Sequence, residues 1–260
     1  MIALLDIDSL FYLSSYKLDT VENVEGLGLS NEDADTIIVS LAEIAEERLW
    51  DMLGSIMYDI ELDENNIQIE KTEIYVTQCE NSIRKKLSPE YKSNRERNEI
   101  VDCLRNMFVF NSDAISDDAL EADDLIADRA KELGEGNYVI ITMDKDLNQI
   151  GGLIYNFYRK PAKKDENGEV VEVYPRKGLS YISKMEAMKF FAKQMIMGDS
   201  SDRIKGLPRY GEKKADKIID PIDSKFGLIR AVLQEYIKVY GDDYSEHLML
   251  NFRLLYLGRM

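Results

Sequence analysis

Residues 138–146 read YVIITMDKD, an apolar run closed at once by two aspartates, Asp144 and Asp146. A short run that is apolar at every position, with no polar alternation, is a strand buried on both faces. Such strands belong to parallel sheets covered by helices. In open parallel sheets, sites form beyond the carboxyl ends of the strands, and Asp144 follows such an end directly. Working outward, MIALLD at 1–6 has the same character and ends in Asp6, with Asp8 two residues on. TEIYVT at 72–77 reads as a second strand, and LIYNFY (153–158) and VVEVY (170–174) flank Asn167-Gly168 like a long hairpin.

Helical spacing separates these runs. Residues 36–57 carry Ile37, Leu41, Ile44, Leu49 and Leu53 on one face, with Trp50 as a packing residue. A helix is expected from about 89 to 109, with Ile100, Val101, Leu104, Met107 and Phe108 inward and Pro89 in its first turn. Another is expected over 117–134, ending near Gly134. From 183 the chain reads helical, with breaks at Gly198, Gly206, Gly211, Pro221 and Gly241. The expected fold class is therefore α/β, a parallel-sheet body over 1–182 followed by a helical subdomain over 183–260.

Composition narrows the chemistry. The 260 residues are 45% hydrophobic, enough for a core, and contain two cysteines and one histidine. A disulfide-built scaffold, a zinc cluster and Ser-His-Asp catalysis are all poorly served by that inventory. No apolar run approaches the roughly 20 residues of a membrane span, and MIALL is too short for a secretory signal. A soluble cytoplasmic protein with no membrane partner is expected. The net charge of −16 argues against a polyanionic partner until its distribution is considered. Residues 1–70 hold 17 acids against two bases, a net of −15, leaving the other 190 residues almost balanced. Within those lie two basic clusters, IRKKLSPEYKSNRER (83–97) and RIKGLPRYGEKKADK (203–217). A local field governs polyanion binding more than the total does, although each cluster taken alone reads as a solvated helix face.

The acids beside apolar runs form four groups: Asp6 with Asp8; Glu121, Asp123 and Asp124 in EADD; Asp144 with Asp146; and Asp199 with Asp202 in GDSSD. Glu121 and Asp124, three apart, share a helix face. Any one pair reads as surface decoration or a cap, but four groups abutting apolar runs point to a common purpose. Crowded carboxylates are unfavourable unless a cation neutralises them. Oxygen donors without histidine or cysteine select hard ions such as Mg²⁺ or Mn²⁺, and two such ions suit phosphodiester hydrolysis. After the last pair, Gly206-Leu-Pro-Arg-Tyr-Gly211 joins two probable helices with Lys213 and Lys214 opening the second. A glycine turn into a helix N-terminus offers backbone N–H groups to phosphate. A plain connector is the other reading.

Together EADDLIA, ITMDKDLNQI, IMGDSSDRIKGLPRYGEKKADKII and IRKKLSPEYKSNR resemble the flap endonuclease/5′-nuclease superfamily, in particular the bacteriophage 5′→3′ exonucleases and the 5′-nuclease domains of bacterial DNA polymerase I. The motifs run in family order from Asp6 to about Ile219. The resemblance implies a PIN-like body, a helical arch at about 83–110, and a DNA-binding helix–hairpin–helix at 199–219. By motif, Asp6, Glu121, Asp123 and Asp124 would surround a first Mg²⁺ or Mn²⁺, and Asp144, Asp146, Asp199 and Asp202 a second. Lys92, Arg95 and Arg84 would contact the scissile phosphate. Gly206, Gly211, Lys213, Lys214 and Arg209 would hold duplex backbone, and a K⁺ at the hairpin is a further cofactor. Two departures stand out. The family usually has an aspartate just past the second strand, where this chain has Thr77, with Glu80 the nearby acid that could swing in. Arg209 and Tyr210 replace the usual glycine and isoleucine or valine of the hairpin.

The reading is a metal-dependent, structure-specific 5′-nuclease acting on DNA 5′ ends or flaps, or on RNA paired to DNA, in replication or repair, with replication proteins as further partners. The alternative is a catalytically impaired branched-DNA binding protein. A PIN-type ribonuclease on single-stranded RNA is a third reading, which the hairpin argues against.

Overall fold

A computed structural model describes residues 1–29, 32–62, 67–160, 163–164, 170–172 and 175–259. Its centre is a sheet of five strands, β1 (Ile2–Asp6), β2 (Lys71–Tyr75), β3 (Tyr138–Thr142), β4 (Gly152–Arg159) and β7 (Arg176–Ile182). Their order across the sheet is β2-β1-β3-β4-β7. The first four run parallel and β7 is an antiparallel edge. Every residue of β3 is buried, as its unbroken apolar run demands. The register pairs Leu5 with Ile141 and Asp6 with Tyr75, so β1, β2 and β3 end side by side. Because β1 is flanked by β2 on one side and β3 on the other, the crevice at their carboxyl ends is the topological switch point.

Helices cover both faces. On one lie α1 (Asp8–Ser14), α3 (Ala34–Glu61) and α5 (Glu99–Asn111), packed through Phe11, Leu41, Leu49, Leu104 and Phe108. The short α2 (Val21–Gly26) precedes α3. On the other face lies α6 (Ala122–Leu133), through Ala122, Ile126 and Ala130 against Leu4, Tyr75 and Ile140. Glu73 is buried on this face of β2 and takes both Arg129 Nε (2.9 Å) and Nη2 (3.1 Å), together with the Tyr75 hydroxyl at 2.9 Å. Its carboxyl is thereby held down to about 2. The helical part comprises α7 (Lys184–Met197), α8 (Glu212–Ile219), α9 (Lys225–Tyr240) and α10 (Tyr244–Leu255) around a core of Ile196, Leu207, Ala215, Leu228 and Tyr236. No helix among the described residues is long and apolar enough to cross a membrane.

Some expectations shift. The helix placed over 89–109 begins only at Glu99, as α5; turns and open chain fill 88–98, and a short α4 (Ile83–Leu87) precedes them. Pro89 sits in those turns, Lys92 takes a left-handed φ of 52°, and Asn98 caps α5 through its side chain, so the helix restarts only there. Trp50 packs on Phe108 at 5.5 Å between ring centroids yet is 46% exposed. The antiparallel partner of β4 is β7, which periodicity did not reveal. The small strands β5 (Lys163–Lys164) and β6 (Val170–Glu172) pair between them, and Asn167-Gly168 lies outside the described residues.

The hairpin region is built on backbone contact. Strands β8 (Gly198–Asp199) and β9 (Ile204–Lys205) pair antiparallel and close a loop carrying Asp199 and Asp202. Gly198 has φ +72°, and a Cβ there would lie 2.2 Å from the Ile204 carbonyl oxygen. A Cβ on Gly206 would lie 2.0 Å from the Met197 carbonyl carbon. Both glycines are thus fixed by close approach of two backbones.

Candidate metal centre

At the switch point an open cavity of about 680 Å³ is lined by Asp6, Asp8, Thr77, Glu121, Asp123 and Asp144, with Lys85, Lys92, Arg95 and Arg105 along its rim. Each acid is placed by its element. Asp6 ends β1, and its Oδ2 accepts the Thr142 hydroxyl at 2.8 Å. Thr142 is the last residue of β3, so two strand ends are tied together. Its Oγ1 in turn accepts the Asp144 N–H at 2.8 Å. Glu121 and Asp124 meet at the start of α6, where the Glu121 N–H donates to Asp124 Oδ2 at 3.2 Å. Asp146 is anchored by Gln194 of α7, whose Nε2 donates at 2.8 Å. Asp199 and Asp202, both buried, come in at the end of β8 and on the loop that follows it.

The electrostatics are those of acids forced together. Burial, then the charges of Asp8 and Asp144, push Asp6 up to about 7. Burial, then Asp144, Asp199 and Asp202, push Asp146 to about 7 as well. Burial also raises Asp8 and Asp123. Glu121 escapes: burial raises it, but Lys92 and Arg84 override that and leave it lowered. Asp199 is lowered too, because Ser201 and Lys145 outweigh its burial.

Basic side chains from the 83–97 segment stand among these oxygens. Lys92 pairs with Glu121 and lies 3.7 Å from Asp202, while the Tyr91 hydroxyl donates to Glu121 at 2.9 Å. Arg95 Nη2 meets Asp202 at 2.6 Å, and Lys145 Nζ meets Asp199 at 3.1 Å. The Lys92 N–H also donates to the Asp202 carbonyl at 3.1 Å, tying this segment to the β8–β9 loop. Among the described residues, no three acidic, cysteine or histidine side chains gather around one point as they stand. Ammonium and guanidinium groups occupy the gaps. The donor set itself is all carboxylate oxygen, burial together with mutual repulsion raises Asp6 and Asp146, and the buried Asp199 Oδ2 has the Lys145 ammonium, at 3.1 Å, in the place a cation would take. That chemistry fits a hard divalent cation.

Two assigned residues have other work. Arg84 is buried, 5% exposed, and grips Asp124 with both terminal nitrogens at 2.8 and 2.6 Å. Its Nη2 also donates to the Tyr256 carbonyl at 3.1 Å, and Asp124 Oδ1 accepts the Gly258 N–H at 3.0 Å. Arg84 and Asp124 thus form a strut that moors the tail after α10 beneath the site. At the hairpin, Gly211 precedes α8 in open space, where an added Cβ would meet nothing within 4 Å. Lys213 and Lys214 are exposed, and Lys214 Nζ lies 3.2 Å from the Tyr210 ring centroid. Arg209 holds φ +67°, a left-handed value natural to glycine. Cys79 and Cys103 are free thiols. Sequence reasoning left Arg105, Thr77's contacts and the Glu73–Arg129 pair unassigned. No spacing rule marks them, because each acts across elements distant in the chain.

Comparisons with known proteins follow the same direction. No family model matches the chain. DNA polymerase I of Mycobacterium tuberculosis (strain H37Rv) is 26% identical over 172 residues, 59% of this chain and 17% of that protein. DNA polymerase I of Rhizobium leguminosarum is 26% identical over 186 residues, 68% of this chain and again 17% of that protein. The chain thus matches about a sixth of the length of these curated relatives. Among solved structures, the bacteriophage T5 D15 protein co-crystallised with metal ions aligns over 98% of this chain and 100% of its own, at TM-score 0.50 and 14% identity. A T5 D15 flap endonuclease in a pseudo-enzyme–product complex with DNA and metal ions aligns over 98% of this chain at TM-score 0.47. The fold is that of the T5 D15 protein, and the likenesses coincide with the 5′-nuclease superfamily that the motifs resemble.

Proposed function

We propose that this chain is a divalent-metal-dependent nuclease that hydrolyses phosphodiester bonds of DNA at 5′ ends or flaps. RNA paired to DNA is a second substrate class, and replication or repair is the setting. The observation that carries the reading is one cavity lined by acids from separate stretches of chain, Asp6, Glu121, Asp123 and Asp144, together with bases of the 83–97 segment. The T5 D15 protein was crystallised with metal ions, which supports the same choice of cofactor.

Asp6, Glu121 and Asp123 would hold one Mg²⁺ or Mn²⁺. Asp144, Asp146, Asp199 and Asp202 would hold a second, some of them through water. When bound, such ions polarise the phosphoryl oxygens and acidify an attacking water. The chain's own contribution is placement and charge. Lys92 and Arg95 line the cavity paired with Glu121 and Asp202, and with those acids turned to a metal their positive ends would be released to an arriving phosphate. They orient the scissile group and stabilise charge developing on it. Arg84 is a strut in this scheme. The hairpin of Gly206, Arg209 and Gly211, with Lys213, would hold duplex backbone without reading bases. A K⁺ there is a further proposal.

The test is cleavage of a 5′-flap DNA in Mg²⁺ or Mn²⁺, with single-stranded RNA alongside. Cleavage of the flap that is lost in Asp144→Ala/Asp146→Ala is expected. No cleavage by the unaltered protein, or undiminished cleavage by the variant, refutes the reading. Flap binding without turnover even in Mn²⁺ would instead identify the branched-DNA binding alternative.

A further inference from the structure

The resemblance leaves one position unfilled, since Thr77 stands where an aspartate is usual. The structure shows Thr77 as a bracket. Its backbone N–H donates to both carboxylate oxygens of Asp8, at 3.3 and 3.2 Å. Its hydroxyl oxygen accepts the Ala122 N–H at 3.0 Å. Ala122 is the first residue of α6 and follows Glu121 directly. One residue therefore joins the end of β2, the first turn of α1 and the start of α6.

Asp8 is the side chain this bracket presents. It is 24% exposed and opens into the cavity shared with Asp6, Glu121 and Asp123. Its backbone N–H donates to Asp6 Oδ1 at 3.3 Å, and both side chains line that cavity. Its cationic neighbour is Arg105 of α5, whose Nε stays at 3.7 Å and makes no hydrogen bond. Helix capping does not explain the residue. The cap of α1 is Ile7, and the Asp8 carboxylate turns back to Thr77 instead of along α1. An ion pair with Arg105 does not explain it either, because at 3.7 Å without hydrogen bonding that pair contributes little. Glu80 also lines the cavity but is exposed.

Resting on the nuclease reading above, we infer that Asp8 is the first-centre metal carboxylate that position 77 does not supply. The ligand has moved from the end of β2 to the first turn of α1, and Thr77 is its positioning residue. Asp8 lines the same cavity as Asp6, Glu121 and Asp123, so a carboxylate there would keep the donor count of the centre with a threonine at 77.

The experiment is calorimetric titration of Mn²⁺ into the substrate-free protein, comparing the unaltered chain with Asp6→Asn, Asp8→Asn and Asp8→Asn/Thr77→Asp. Asparagine keeps an oxygen for the Thr77 N–H, and thermal melts in EDTA verify folding. Asp8→Asn is expected to weaken Mn²⁺ binding at least tenfold, as Asp6→Asn does, and the added Thr77→Asp to recover most of the loss. Unchanged Mn²⁺ affinity in Asp8→Asn while Asp6→Asn loses it overturns the inference alone. A folded double variant that stays as weak as Asp8→Asn also overturns it. No Mn²⁺ binding by the unaltered chain would instead remove the nuclease reading and the inference together.

Discussion

Replacing Lys92 by methionine separates what this cation does for the metal-free protein from what it does for metal binding. Lys92 is 17% exposed and Glu121 5%, so their pair is largely out of water. Removing one partner of a buried pair costs roughly 3–5 kcal/mol when nothing replaces it. Here Glu121 keeps Arg84 at 3.4 Å and the Tyr91 hydroxyl at 2.9 Å, and Asp202 keeps Arg95 at 2.6 Å. We therefore expect a loss nearer 2 kcal/mol, or about 4–8 °C in melting temperature for a chain of this size. In Mg²⁺ the sign reverses in part. A divalent ion entering the unaltered centre must displace or repel the Lys92 ammonium, whereas in Lys92→Met it meets uncompensated carboxylates. Added Mg²⁺ should thus raise the melting temperature of Lys92→Met by more than that of the unaltered protein, while flap cleavage falls. The assay is scanning calorimetry at pH 7 in EDTA and again in about 10 mM Mg²⁺. Equal stability in EDTA, or an equal Mg²⁺ increment in the two proteins, would refute the view that Lys92 stands in for a cation.

Other consequences can be measured separately. Gly198→Ala forces a Cβ to 2.2 Å from the Ile204 carbonyl at a left-handed φ, and should cost about 3 kcal/mol or more in urea unfolding; a loss under about 1 kcal/mol would contradict the close approach. Arg209→Gly relieves φ +67° and should stabilise by about 0.5–1 kcal/mol in the same assay, with any loss of stability counting against it. Glu73 is held at about 2 against an ordinary 4.5, so its contribution is present above pH 4.5 and disappears as the pH falls towards 2. With Arg129 a third exposed, that contribution is about 2 kcal/mol. Glu73→Gln should trail the unaltered protein by this amount at pH 7, the gap closing towards pH 3, and a gap that ignores pH would refute the pairing.

The sheet was legible where one interaction dominated. The unbroken apolar run of β3 could only be a strand buried on both faces, and Asp6 and Asp144 at strand ends located the crevice. The helix expected over 89–109 was started some ten residues early, at Pro89, because apolar spacing in α5 is local and the turn at Lys92 is made by contacts with Asp202 over a hundred residues away. The edge strand β7 escaped for a related reason: an antiparallel edge beside exposed surface needs no apolar alternation, and its burial is mixed. In the site, the acids that line the cavity, Asp6, Asp8, Glu121, Asp123 and Asp144, all stand beside apolar runs of the sequence. Their partners were not legible there. That Arg84 is a buried strut on Asp124, or that Thr77 presents Asp8, depends on which helix starts meet which strand ends, and only the fold decides that.

The central claim is tested most directly by anomalous diffraction from a crystal of this protein soaked in Mn²⁺. The account predicts anomalous density between Asp6, Glu121 and Asp123, with a second peak beside Asp146, Asp199 and Asp202, and displacement of the Lys92 ammonium from Glu121. A well-ordered crystal with no anomalous peak among these carboxylates would contradict it.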